Sequence, residues 1–160
     1  MDGLQIHLLV NHVPIIGTII GVLVTLLGAI VKADVVKRTG LAIYIATGLF
    51  VFAANVSGEE AEDLVEERVS WVSHDQIHEH EEAAETAMTI TVIGLILALV
   101  HLVNVPPSQS VQRLVLSAFF LTGIAGTIAV GMAGHEGGKI RRPDLGAATT
   151  SAPAPHGEHE

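Results

Sequence analysis

The sequence predicts an all-α integral membrane protein: an antiparallel four-helix bundle, with a short amphipathic helix on its surface between helices two and three. Three observations predict it. The 160 residues have a mean hydropathy of +0.53 and are 49% hydrophobic, yet only 4% are aromatic. Four runs without Asp, Glu, Lys or Arg, at residues 4–31, 39–58, 86–105 and 114–134, are each long enough for a hydrocarbon core of about 30 Å. Short links at 32–38 and 104–113, the second holding Pro106 and Pro107, join these runs in pairs and force neighbours antiparallel.

Helix one lacks a basic leading region and a small-x-small cleavage site, so it is expected to be retained rather than removed as a signal peptide. Its heptad line His7, Pro14, Gly21 and Gly28 favours His7 as inward-facing. Pro14 can kink the helix and reset the phase above it, which leaves His12 an equal candidate. Helix two runs to Gly58. There Ser57-x-x-Glu60 reads as a capping box, and Ala61, Leu64, Val65, Arg68, Val69 and Val72 recur at helical spacing. This is the expected surface helix, with Trp71 as an interfacial anchor.

Helix three is the most informative element. Ser73 and Gln76 form an S-x-x-Q capping box, and no proline follows before Val103. From His80, steps of three and four give Ala84, Ala87, Thr91, Gly94, Ala98 and His101. Small residues mark the packed side of a membrane helix, so His80 is expected to face its partners. The line from His78 through Glu82, Glu85, Thr89, Val92 and Ile96 grows bulky and is expected to face outward. Helix four carries Gly123, Gly126, Gly131 and Gly134, and His135 leaves it. Residues 1–145 form the membrane domain. The tail at 146–160, rich in Ala, Thr, Ser and Pro, is expected to be disordered.

Net charge is −9, and 11 of the 17 acidic residues lie between Glu59 and Glu85 against one base, Arg68. That belt argues against nucleic acid as a partner. The absence of cysteine rules out disulfides, thiolate ligation and iron–sulfur clusters. Four basic residues fall at each end of the bundle. Lys32, Lys37, Arg38 and Arg113 sit in the two short loops, which weigh most. Those loops are assigned to the cytoplasm. The chain is then a multi-pass bacterial inner-membrane protein with its termini and acidic loop in the periplasm.

On this topology eight of nine histidines share the outer side, and only His101 lies at the other end. Imidazoles gathered at the top of a membrane bundle suit a metal centre or b-type haem ligation. Expected haem-binding residues are His7, His12, His80 and His135, with Arg141 and Arg142 available to pair with propionates. The rival is non-haem iron, copper or zinc held by His7, His12, His78, His80, His135 and Glu59. His101 lies 21 residues beyond His80, roughly 31 Å at helical rise, and no second histidine accompanies it. One haem is therefore expected rather than two.

His7-x(4)-His12-x-Pro14-Ile15, Ser57-Gly58-Glu59-Glu60-Ala61-Glu62, His80-Glu81-Glu82-Ala83-Ala84-Glu85 and Gly137-Gly138-Lys139-Ile140-Arg141 occur in that order. Together they resemble a family of small bacterial four-helix inner-membrane proteins for which no reaction is established. The resemblance covers residues 1 to about 145. Many members of that family carry a histidine where this chain has Arg142, and His135 is the residue that would substitute. The resemblance implies a membrane module set alongside respiratory electron-transfer proteins, similar in outline to b-type cytochrome subunits.

Two functional classes follow. One is an electron carrier with a single haem near the outer face, passing electrons between quinones or a partner subunit and a periplasmic carrier. Its acidic loop would steer a basic partner such as a cytochrome c. The other is a structural or regulatory subunit of a larger complex or a homo-oligomer, with the glycines serving helix packing alone. In both, the chain is expected to act as a carrier or subunit rather than as a stand-alone enzyme. No nucleophile elbow, P-loop or dinucleotide fingerprint occurs.

Overall fold

The computed structural model describes residues 3–68, 72–103 and 108–141. Trp71, Pro106, Pro107, Arg142 and the tail lie outside them. Every element among the described residues is helical: α1 (Gly3–Val10), α2 (His12–Ile30), α3 (Asp34–Arg68), α4 (His74–Leu102) and α5 (Gln109–Arg141). Four stretches are long and apolar enough to cross a membrane: Gln5–Ile30, Asp34–Glu59, His74–Leu102 and Gln109–Ile140.

The first span is interrupted at Asn11. Pro14 has no N–H to give the carbonyl of Val10, so the ladder loses a rung there, although Asn11 N–H still reaches His7 O at 3.0 Å. α2 ends in a left-handed cap at Lys32 (φ 55°), with Ala33 N–H donating to Gly28 O at 2.9 Å. α2 packs on α3, α4 on α5, and the two pairs close against each other through α3–α4 and α2–α5; α1 lies on α3.

Glycine makes the α2–α3 seam. A Cβ on Gly21 would stand 2.8 Å from the backbone N of Tyr44, and one on Gly28 would collide with the backbone of Lys37. Small residues let the helices meet backbone to backbone, where lipid offers no hydrophobic drive to association. Thr18 and Thr25 are buried on the same helix and donate back to Pro14 O and Gly21 O, each at 2.7 Å, so their hydroxyls are satisfied within the helix.

The mid-bundle core is Tyr44 against Phe119, ring centroids 5.0 Å apart and edge to face. The predicted packed line of α4 is buried at Ala87, Thr91, Gly94 and Ala98, while Ile93, Ile96 and Leu99 stay exposed. Leu23 and Ile30 on α2 and Leu114 and Leu121 on α5 are exposed too. An apolar exterior around a core this small in side chain suits contact with lipid.

The capping box at the start of α4 is formed. Ser73 Oγ accepts from Gln76 N–H at 3.2 Å, and Gln76 Oε1 accepts from Ser73 N–H at 3.2 Å. Ser73→Ala is expected to cost about 1 kcal/mol, read as a lower unfolding temperature in detergent, with Ser73→Asp restoring most of it.

Two expected boundaries are corrected. The separate surface helix does not exist among the described residues, because α3 runs unbroken from Asp34 to Arg68. Ser57 is not a cap: its hydroxyl donates to Ala53 O at 2.7 Å, inside the helix. Likewise α5 does not end near Gly134 but continues through Gly137 and Gly138 to Arg141. Glycine is poor in helix interiors, yet tertiary contact overrides propensity. The contact in both places is a histidine ring.

Candidate functional site

His7 on α1 and His80 on α4 meet at the end of the bundle that carries the acidic residues. Their ring centroids are 6.2 Å apart and their planes nearly perpendicular, at 83°. Both side chains are half-buried.

Each ring is held in the same way. His7 Nδ1 lies 2.9 Å from Ala54 O on α3. His80 Nδ1 lies 3.0 Å from Ala133 O on α5. A carbonyl oxygen can only accept, so in both rings Nδ1 carries the proton and donates it. Nε2 is left with its lone pair, as ligation of a metal through that nitrogen requires.

The acceptor carbonyls are uncovered by glycine. In an α-helix the Cβ of residue i+4 leans toward the N-terminus, over the turn that holds the carbonyl of residue i. Gly58 stands four residues after Ala54, and Gly137 four after Ala133. A Cβ on Gly58 would come 3.4 Å from His7 Cε1 and Nδ1, and one on Gly137 would come 3.1 Å from His80 Cε1. Each imidazole thus lies against a bare stretch of the facing helix and reaches a carbonyl already used in the ladder. The two settings, Ala54-x(3)-Gly58 and Ala133-x(3)-Gly137, match in both halves of the chain.

The remaining expected residues are not in this pair. His12 is exposed on α2, and His135 is exposed on α5. His78 is exposed and lies 3.7 Å and 3.4 Å from Glu81 and Glu82 on its own helix. Glu59 is exposed and accepts from Asn55 Nδ2 at 3.4 Å. Arg141 closes α5. Among the described residues, no three His, Cys, Asp or Glu side chains are grouped to hold a metal ion. Of the six candidate metal ligands, the structure brings His7 and His80 together and sets the other four at separate exposed positions.

Sequence reasoning missed the alanine carbonyls and read the glycines as seam or turn. The Ala-x(3)-Gly spacing was available as a signal, but it is a common packing pattern until a ring is seen against it. The arrangement defines a class: a bundle of membrane-length helices with a two-histidine site at one end. No family model, curated protein or solved structure matches the chain.

Proposed function

We propose that this chain is a membrane-embedded electron-transfer protein that binds one b-type haem at the acidic end of its bundle, with His7 and His80 as the axial ligands. The supporting observation is the ring pair with both Nδ1 protons committed to backbone carbonyls. Imidazoles brought together from two separate helices are donors of the kind that a haem iron takes. The rings of His7 and His80 stand 6.2 Å apart, centre to centre. A porphyrin brings four nitrogens of its own, so two protein donors complete its iron; a non-haem ion needs more.

The haem would supply the one-electron step, and the protein would supply ligation, orientation and surface charge. His7 and His80 would present Nε2, while the Ala54 and Ala133 carbonyls hold the rings in register and raise their basicity. The acidic residues on α3 and α4 would steer a basic redox partner such as a periplasmic cytochrome c. In this reading the acidic end faces the periplasm and the basic end of the bundle the cytoplasm of a bacterial inner membrane.

The competing reading is a structural subunit. The same two hydrogen bonds support it, since they tie α1 to α3 and α4 to α5 without any cofactor. An absorption spectrum of the detergent-purified protein from haem-replete cells separates the two. A Soret band that shifts on dithionite reduction is expected. A colourless, iron-free preparation would leave the structural reading.

A further inference from the structure

The opposite end of the bundle holds an open-sided cavity of about 440 Å³. The first turn of α3 lines it with Asp34, Lys37 and Arg38, and the first turn of α5 with Gln109 and Arg113. His101, whose buried Nδ1 has no hydrogen-bond partner among the described residues, closes it from the end of α4. Three fixed cations thus face one carboxylate, and that carboxylate is engaged by Lys37 at 2.7 Å. Arg38 and Arg113 are exposed and make no ion pair among the described residues. Two helix N-termini open on the same space and add their partial positive charge.

An adjoining cavity of about 300 Å³ shares Asp34, Lys37 and Leu116 with the first and is bordered by Gly28, Ala29 and Lys32. The basic chamber therefore continues into a smaller one between the α2–α3 turn and α5, where Gly28, Ala29 and Leu116 supply an apolar wall and Lys32 a further cation.

We infer that this end of the bundle binds a phosphate-bearing anion, with Arg38 and Arg113 clamping the phosphate oxygens and the adjoining cavity taking apolar substituents. Guanidinium groups match phosphate in a bidentate way that point charges do not. Basic pockets between membrane helices at the surface suit the phosphodiester of an anionic phospholipid; free phosphate shares the same chemistry. The site is about one bilayer away from the His7–His80 pair and does not depend on it.

Native mass spectrometry of the full chain in detergent tests the inference. Phosphatidylglycerol, phosphatidylcholine and inorganic phosphate are titrated separately. Phosphatidylglycerol is expected to bind well over phosphatidylcholine, and the double variant Arg38→Gln/Arg113→Gln to lose about thirtyfold in affinity, the effect of two cations at a charged surface. Lys139→Gln, at the other end, is expected to leave that affinity unchanged. Saturable binding of inorganic phosphate that the double variant abolishes, without a preference for the anionic lipid, would assign the site to free phosphate. Equal binding of both lipids and no arginine-dependent phosphate binding would overturn the inference. Circular dichroism of the variants checks folding, and an unchanged visible spectrum keeps this result separate from the haem reading.

Discussion

His80→Ala is expected to abolish the Soret band of the purified protein, and His7→Ala to do the same. His12→Ala and His135→Ala are expected to leave the band in place, because those two rings are exposed and outside the pair. The contrast carries the prediction. Each of the two histidines makes one short hydrogen bond across a helix seam, His7 adding a longer contact to Ser57 Oγ at 3.5 Å, and a net loss of about 1 kcal/mol on removal is one that a bundle of this size survives. Loss of colour with retained helicity would therefore report ligation, not unfolding. Gly137→Val adds a graded case: its side chain would start 3.1 Å from His80 Cε1 and push the ring off Ala133 O. Weakened haem retention with intact helices is expected. A band that survives His80→Ala would move the cofactor away from this site.

Gly21→Leu is expected to be strongly damaging, because it forces the α2–α3 seam apart at the middle of the bundle. The new Cβ would meet the N and Cβ of Tyr44 at 2.8 Å and its Cα at 2.9 Å. Backbone cannot step aside as a flexible side chain can, so α2 and α3 must separate. Tyr44 would be carried off Phe119 and Gly94, the centre of the core. Overpacking of this kind costs about 3 kcal/mol, read as a large fall in unfolding temperature in detergent or as loss of the monodisperse protein. Gly131→Leu is the matched control. A Cβ there meets nothing within 4 Å, and the position is exposed on α5, so little change is expected. Equal damage at both positions would mean that the seam is not where α2 and α3 meet.

Much of the architecture was legible because it follows from local rules. Hydrocarbon-length apolar runs mark spans, and the S-x-x-Q box marks the start of α4. The helical phase of α4 put small residues inward and Ile96 outward, as observed. The failures were at glycines. Glycine's low helix propensity predicts a stop near Gly58 and Gly137, yet both lie inside unbroken helices. Intrinsic propensity is a weak prior, and a ring seated on the bare backbone outweighs it.

The choice between His7 and His12 shows the same limit. They are five residues apart on one span, and the helix is interrupted between them at Asn11. No periodicity crosses such a break with its phase intact, so only the packed bundle could decide that His7 turns inward and His12 out.

What the chain's order of residues determined alone was a set of spans, their pairing and a layer of imidazoles at one end, since each depends on neighbours a few positions away. What only the tertiary structure decided was which two imidazoles meet and which nitrogen each keeps free. That depends on Ala54 and Ala133 carbonyls arriving from other helices, and on glycine leaving them uncovered, at sequence separations of 47 and 53 residues.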